Sequence, residues 1–330
     1  MHDPPSPKGE VSPFHDGERA VQQKAGVGGK IESIGRRLIR DFMPDEHREF
    51  FAGLPFFVVG GLDVEGRPWA SAPVGEPGFV QSPDPRRLHV ASRLRAEDPL
   101  RDAIREGAPI GGLGIELHTR RRNRVNGRIT PDPDGSGFTI LVDQSFGNCP
   151  QYIQSRALHP VAAVGTEAAG SVVRSDRLDC PARKIVQCSD TFFIASHYGD
   201  DRRRHEHGVD VSHRGGLRGF VRILDDRTLE FPDYRGNFLF NTLGNLAMNP
   251  RCGLLFMCFA RGDVLQLTGT AEVLWDFPRE DPALEGAERL VRFRLEAMVR
   301  APGAFPLRGD LQDYAPQLLA LCQQRHGAKK

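Results

Sequence analysis

One stretch of the sequence occurs twice, without gaps, at an offset of 141 positions. Residues 75–113 and 216–254 share ten identities over 39 positions, whereas average residue usage gives about two or three by chance. This period is far longer than that of solenoid repeats, so we expect one domain-sized unit used twice. A seam between two like units is a favoured place for a ligand. The identical pairs are Gly75/Gly216, Gly78/Gly219, Phe79/Phe220, Val80/Val221, Asp84/Asp225, Arg86/Arg227, Leu88/Leu229, Pro109/Pro250, Gly112/Gly253 and Leu113/Leu254.

Length and charge narrow the class of protein. The 330 residues suffice for two or three domains, and a net charge of +1 favours neither nucleic acid nor an anionic membrane. No apolar run approaches the roughly 18 residues of a membrane span, and the N-terminus lacks a basic-then-apolar signal pattern. The basic run 118–124 has no interleaved aromatic residue for base stacking. We therefore predict a cytoplasmic protein that binds neither nucleic acid nor membrane.

The cysteines and histidines give no metal-binding pattern. The chain has 6 cysteines, none spaced as C-x-x-C, so reduced cysteines and no metal site are predicted. His205 and His207 form an H-x-H pair inside a charged segment, where solvated side chains are the usual outcome. Cys149 precedes Pro150 and an expected helix, which leaves either packing or a redox role open for its thiol.

Short strands with one brief helix recur at a spacing that indicates small β-barrels rather than βαβ units. The sequence predicts a mainly β (α+β) chain with peripheral helices. We expect five regions: a disordered and helical N-terminal arm at 1–52, a first barrel at 53–145, a connector at 146–184, a second barrel at 185–276, and C-terminal helices at 277–330.

The second repeat holds the strongest group of candidate site residues. Ser212 and Arg214 share one face of a predicted strand, because side chains alternate along a strand. Residues 233–237 form a predicted turn in which Gly236 lets backbone approach a ligand and Asn237 can cap the next helix. A helix N-terminus beside an arginine suits a phosphate, although the same pattern also fits a capped helix without a ligand.

At this point the sequence resembles the pyridoxamine 5′-phosphate oxidase superfamily of FMN-binding split β-barrels. The second repeat carries the resemblance best, through the order of its strands and the segments NPRCGLLFMCF (249–259) and VLQLTGTAEVL (264–274). The segments that resemble a two-lobed bacterial branch of that superfamily are FHDGE (14–18), RDFMPDEHREFF (40–51), RPWAS (67–71), RRRNRVNG (120–127) and FGNCPQYIQ (146–154). The resemblance implies two tandem split β-barrels that form an intrachain pseudo-dimer, with FMN in the groove between them.

The resemblance also implies where FMN binds. The phosphate would lie near Ser212–Arg214 and near 233–242, and the flavin ring would lie across the first lobe. There, Arg122, Arg124 and Asn126, or Asn148, Cys149 and Tyr152, would form the second wall. The predicted cofactor-binding residues are Ser212, His213, Arg214, Asp233, Gly236, Asn237, Thr242, Asn245, Arg122 and Arg124.

The two repeats differ where the cofactor would bind. At the positions of Gly236, Asn237, Thr242 and Asn245 the first repeat carries Arg95, Ala96, Arg101 and Ile104. The sequence therefore predicts one FMN site, with Arg95 and Arg101 leaving a second anion site open. The arginine and histidine pair that binds substrate in true pyridoxamine phosphate oxidases is not evident, which argues against that substrate.

These features predict an FMN-dependent oxidoreductase that passes hydride or electrons to a small molecule, with that substrate or a separate reductase as its partner. No catalytic acid or base is identified, and His213 and His197 are the candidates. The alternative is a non-catalytic flavin- or haem-binding, redox-sensing protein with the same barrel, and a third hypothesis is a structural β-protein without a cofactor. The resemblance also implies that the two-lobed chain can pair as a homodimer.

Overall fold

The computed structural model describes residues 12–130, 132, 135–161, 171–199, 201, 203–279, 281 and 284–327. The predicted disorder of residues 1–11 lies outside this range. Helices are few and flank the strands, which confirms the prediction of a mainly β chain. In the described residues they are α1 (Asp16–Lys24), α2 (Gly28–Leu38), α3 (Asp45–Ala52), α4 (Cys180–Cys188), α5 (Asn241–Met248) and α6 (Pro316–Gly327), with a short 3-10 turn at Arg101–Ala103.

The strands of the described residues form two large sheets. The first contains β1 (Val58–Leu62), β2 (Pro68–Ser71), β3 (Val80–Asp84), β4 (Arg87–Val90), β5 (Pro109–Glu116), β6 (Arg121–Thr130) and β7 (Phe138–Gly147). Between the sheets lie β8 (Ser155–Arg156), β9 (His159–Pro160) and β10 (Val173–Ser175). The second contains β11 (Thr191–Tyr198), β12 (Gly208–Gly215), β13 (Arg222–Ile223), β14 (Thr228–Tyr234), β15 (Arg251–Met257), β16 (Val264–Leu274) and β17 (Ala287–Ala301). The short strands β18 (Leu307–Arg308) and β19 (Leu311–Asp313) follow.

The two sheets have the same strand order. The first runs β2-β1-β5-β6-β7-β4-β3 and the second runs β12-β11-β15-β16-β17-β14-β13, with β10 added beside β17. Both also carry a β-bulge at the same place, with Asp143 as the extra residue in β7 and Glu296 as the extra residue in β17. Opposite the bulges lie Gly127 and Gly269, where a Cβ would collide with the carbonyl oxygens of Leu141 and Arg294.

Seven of the ten repeated pairs, from Gly75/Gly216 to Leu88/Leu229, hold equivalent places in the two lobes, whereas the strand ladders shift the last three pairs by one residue, so that Gly111 and not Gly112 corresponds to Gly253. A Cβ on Gly75 would overlap the ring of Phe79, and one on Gly216 would overlap the ring of Phe220. Leu88 and Leu229 are both fully buried, each in the core of its own sheet. Burial of this kind is the main source of stability, so the repeated residues belong to the scaffold.

The lobes are joined by a third core cluster that draws buried residues from both sheets, including Val58, Leu113, Phe193 and Leu255. Strand β12 lies against β5 and β2 lies against β15. Gly111 and Gly253 permit this approach, because a Cβ on either would meet backbone atoms of the facing strand. The sheets thus meet along two similar seams.

The predicted C-terminal helices over 277–330 are wrong for residues 287–301, which form β17. Phe293 and Leu295 are buried while Arg292, Arg294 and Glu296 are exposed, so the side chains alternate with the period of a strand. β17 pairs with both β14 and β16, which extends the second sheet beyond the predicted boundary at residue 276. A helix does occupy the end of the described chain, as α6.

Helix α1 of the N-terminal arm packs on the second lobe, whereas α3 packs on the first. Helix α1 crosses α5 at a glycine contact, where a Cβ on Gly244 would lie 2.6 Å from the Cα of Glu18. The reciprocal contact brings Gly17 against the carbonyl oxygen of Gly244. In the part of the chain described, no helix has the length and apolar character needed to cross a membrane.

Candidate functional site

A cleft of about 850 Å³, partly open to solvent, lies between the two sheets. The first lobe supplies residues of β5 and β6 and the segment after β7. The second lobe supplies β12, the end of β14, the loop 236–240 and the start of α5. Because the walls come from both halves of the chain, the cleft forms only when the lobes are docked.

Ser212 organises the floor of the cleft. Its Oγ accepts hydrogen bonds from Arg124 Nη2 at 2.6 Å and from Thr242 Oγ1 at 2.9 Å. Arg124 also donates to Asn241 Oδ1 at 2.7 Å and forms an ion pair with Asp210 at 2.9 Å. Arg124 is 3% exposed, so these bonds hold the two lobes together at a buried, charge-assisted contact.

Asp233 holds two arginines at one side of the cleft. Its Oδ1 accepts from Arg214 Nη1 at 2.5 Å and its Oδ2 accepts from Arg289 Nε at 2.8 Å. Both carboxylate oxygens therefore accept hydrogen bonds from arginines. Asp233 holds these two guanidinium groups in place and has no oxygen left over for a ligand. The Arg289 guanidinium also lies over the Phe240 ring, 4.9 Å from its centroid.

Arg122 is a cation without a carboxylate partner among the described residues. Its Nε donates to the carbonyl oxygen of Cys149 at 2.7 Å, and its Nη1 lies 3.3 Å from His213 Nδ1. Burial, together with the charges of Arg124 and Arg214, lowers the pKa of Arg122 to about 9. Burial and the charges of Arg122, Arg214 and Arg156 lower the pKa of His213 well below its ordinary value. At neutral pH, Arg122 is charged and His213 is neutral.

Aromatic side chains in uncommon backbone conformations border the cleft. Tyr152, Phe238 and Phe240 have φ values of 63°, 61° and 60°, the left-handed region that bulky residues avoid. Tyr152 stacks on Tyr234 with ring centroids 5.1 Å apart. Such outliers cluster at ligand sites, where the surrounding structure holds them in place.

Five buried polar atoms around the cleft have no hydrogen-bond partner among the described residues: Arg124 Nε, Asn148 Nδ2, Gln151 Oε1, His213 Nε2 and Arg214 Nε. With Arg122 donating to His213 Nδ1, the Nε2 of His213 carries the proton. Most of these atoms are therefore N–H donors, and unpaired buried donors are costly. A bound anion would satisfy them.

The structure brings nine of the ten predicted cofactor-binding residues to this cleft. They are Ser212, His213, Arg214, Asp233, Gly236, Asn237, Thr242, Arg122 and Arg124. Asn245 is the exception: it points to the other side of α5, where its Nδ2 donates to Ser196 Oγ at 2.9 Å. His197 does not line the cleft either, so of the two candidate acids or bases only His213 is present.

The remaining candidate residues lie partly inside and partly outside the cleft. Asn148 and Tyr152 line the cleft, and Asn237 Nδ2 donates to Asn148 Oδ1 at 3.3 Å instead of capping α5. Asn126 turns away and donates to Asp210. Around His205 and His207, as elsewhere in the described chain, no group of three or more metal-ligating side chains is arranged to hold an ion.

Sequence reasoning missed Asn241, Phe240 and Arg289. Arg289 lies on β17, so the expected helix hid it. Phe240 and Asn241 were missed because the predicted cap at Asn237 started the helix too early, whereas Phe240 is the N-cap and Asn241 the first residue of α5.

The N-terminal arm reaches the cleft through Glu18. Its Oε1 accepts from Asn241 Nδ2 at 2.5 Å, and Asn241 in turn accepts from Arg124. His15, whose backbone N–H donates to Glu18 Oε2, completes a capping box at the start of α1. The FHDGE segment thus caps the N-terminus of α1 and, through the Glu18–Asn241 hydrogen bond, connects this helix to the cleft.

Replacing Glu18 with glutamine is expected to change the pH dependence of stability. Burial is the main cause that raises the pKa of Glu18 to about 8, and Asp210 adds to it. Because the folded protein favours the protonated acid, the stability from this group is present below about pH 4 and is lost as pH rises towards 8. We expect the unfolding free energy of Glu18→Gln, relative to wild type, to increase by about 2–4 kcal/mol between pH 4 and pH 9. Urea unfolding at several pH values measures this, and a pH-independent difference would contradict it.

Comparison with known proteins gave partial matches of fold. No family model and no curated protein matches the sequence. HupZ from Group A Streptococcus is 12% identical, with a TM-score of 0.28 over 42% of this chain and 98% of that protein. A putative pyridoxamine 5′-phosphate oxidase from Lactobacillus delbrueckii is 16% identical, with a TM-score of 0.29 over 38% and 94%. A FAD-binding protein from Mesorhizobium loti is 14% identical, with a TM-score of 0.26 over 39% and 97%.

Proposed function

We propose that the chain is an FMN-binding flavoprotein made of two tandem split β-barrels paired as an intrachain pseudo-dimer. The shared strand order, the matching bulges opposite Gly127 and Gly269 and the two similar seams support the duplication. FMN would occupy the cleft between the sheets, at the seam where β12 lies against β5.

The observation that carries this proposal is the group of unpaired donors and cations beside aromatic rings. Arg122 and Arg214 offer charge-assisted hydrogen bonds to a phosphate, and the start of α5 adds the positive end of a helix dipole. Ser212, Thr242 and Asp233 are already engaged, so their role is to hold the arginines in place. Tyr152, Phe238 and Phe240 give an aromatic border suited to the flavin ring.

The proposed activity is that of an oxidoreductase. When bound, FMN supplies hydride or electron transfer through its N5 atom, while the protein supplies orientation and electrostatics. Here the arginines around the cleft favour negative charge on the bound group. His213 is neutral and holds its proton on Nε2, so it acts as a hydrogen-bond donor. The reaction partner is a small molecule or a separate reductase.

The protein as purified is expected to be yellow, because bound flavin absorbs at about 450 nm. Mass spectrometry of the compound released on denaturation should identify FMN, and riboflavin, which lacks the phosphate, should bind more than about 100-fold more weakly. A colourless protein that takes up no added FMN would contradict the proposal. Anaerobic addition of NADH or NADPH then tests for an enzyme: bleaching of the flavin is expected, and no reduction by either donor would favour a flavin carrier or sensor.

A further inference from the structure

The second seam, where β2 lies against β15, holds a cleft built from the equivalent elements of the opposite lobes. Two positions are equivalent here when they occupy the same place in the ladders of the two sheets. Arg124 pairs with Leu113, which pairs with Val58; Gln266 pairs with Leu255, which pairs with Phe193. Arg124 and Gln266 are therefore equivalent. By the same ladders Ser212, beside Ile194, is equivalent to Ser71, beside Val59.

The equivalent side chains make equivalent contacts. Gln266 Nε2 donates to Ala70 O at 3.0 Å, to Ser71 Oγ at 2.9 Å and to Asp98 Oδ2 at 3.2 Å. Arg124 makes the matching three bonds to Val211 O, Ser212 Oγ and Asn241 Oδ1. The backbone arrangement and this hydrogen-bond pattern therefore occur in both clefts, but a charged arginine in the first is replaced by a neutral glutamine in the second.

The second cleft has lost the charges of the first. The residues equivalent to Arg122, Arg124, Arg214 and Asp233 are Val264, Gln266, Pro73 and Ser92, and all four line the second cleft. The segment after β17 brings Ala304 and Phe305 to it, as the segment after β7 brings Gln151 and Tyr152 to the first. Charged and polar residues are replaced by neutral and mostly apolar ones at each of these places.

The arginines that remain at the second cleft are exposed, unlike the buried Arg124 of the first. Arg93 donates to the carbonyl oxygen of Gly135, and Arg95 lies 3.5 Å from Glu97. Asp98 accepts from Ser71 and Gln266, and burial raises its pKa. Arg101 is exposed and does not line the cleft. Among its described lining residues no buried side-chain polar atom lacks a partner, in contrast to the first cleft.

We propose that the second cleft binds one uncharged, largely apolar small molecule and does not bind a second flavin phosphate. Its apolar border of Val264, Val299, Ala301 and Phe305 suits an apolar ring compound. A phosphate there would meet the Asp98 and Glu97 carboxyls, and the arginines at the cleft, Arg93 and Arg95, are exposed instead of buried at its floor, so the desolvation of the phosphate would not be compensated. The statement about the flavin rests on the proposed function; the apolar site does not.

The probe for this site is N-phenyl-1-naphthylamine, an uncharged ring compound whose fluorescence rises in apolar surroundings. We expect saturable binding of one probe per chain to the purified protein. Val264→Asp, which adds a charge without bulk, should weaken binding by at least about tenfold, while its matched control Val264→Leu keeps the affinity within about threefold. Ala304→Trp, which fills the mouth of the cleft, should abolish binding.

Flavin content serves as the check on folding and on stoichiometry. Each variant should release as much flavin as wild type, at one FMN per chain. The proposal is overturned by absence of probe binding, by binding that neither Val264→Asp nor Ala304→Trp changes, or by a second equivalent of FMN. If the protein holds no flavin at all, the proposed function fails while the probe titration still tests the apolar site.

Discussion

Replacing both Arg122 and Arg214 with glutamine is expected to weaken FMN binding by about 100- to 10,000-fold. A hydrogen bond to a charged group contributes about 1.5–3 kcal/mol, and each substitution removes one such contact to the phosphate. Riboflavin affinity should change far less, because riboflavin has no phosphate to lose. Titration of the flavin-free protein with FMN and with riboflavin, followed by flavin fluorescence, measures both effects.

The matched control removes the same charge elsewhere. Arg203 and Arg177 have side chains that are 91% and 62% exposed, and their replacement by glutamine lowers the net charge equally. Only a small, salt-dependent change in FMN affinity is expected, since exposed charges are screened. Equal losses in the two double variants would show that long-range charge, not contact with the phosphate, governs binding.

Gly244→Ala is expected to destabilise the protein by about 2–3 kcal/mol and to lower its FMN affinity. The new Cβ would lie 2.5 Å from Glu18 Cγ and 2.6 Å from its Cα and N, so helix α1 must move. That movement breaks the hydrogen bond between Glu18 and Asn241. Asn241, which accepts a hydrogen bond from Arg124, is then held less firmly at the cleft. Urea unfolding and FMN titration measure the two losses.

Gly29→Ala provides the same substitution without the contact. Gly29 lies in α2, and nothing stands within 4 Å of its added Cβ. Because alanine favours a helix over glycine, this variant should be up to about 1 kcal/mol more stable than wild type, with unchanged FMN affinity. If Gly244→Ala behaves like Gly29→Ala, the close crossing of α1 and α5 does not hold the arm.

Much of the scaffold could be predicted because repeated sequence imposes repeated structure. Gly75 and Gly216 are followed by a phenylalanine at the same distance, and in both lobes the ring packs over the glycine. Seven of the nine site residues lie in one local pattern, a strand, a turn and a helix start within residues 212–242, whereas Arg122 and Arg124 of the first lobe came from the resemblance.

The strand β17 shows where local patterns mislead. Its fifteen residues alternate in burial, but the charged residues between Phe293 and Met298 also fit a surface helix. The repeat predicts a strand at this place, because β7 follows β6 in the first lobe as β17 follows β16 in the second. Asn245 was misplaced for a different reason: the face of α5 that meets the cleft depends on how α1 and β11 pack around it, which spacing alone does not give.

The position of β17 sets an order of events during synthesis. The first sheet has all its described strands once residue 147 has left the ribosome, whereas β17, ending at Ala301, joins β16 to β14. Domains fold as they emerge, N-terminal first, yet α1 packs on α5 of the later lobe. Helix α1, translated long before α5, therefore stays undocked while most of this chain is made, and the nascent protein exposes α1 until the second lobe folds.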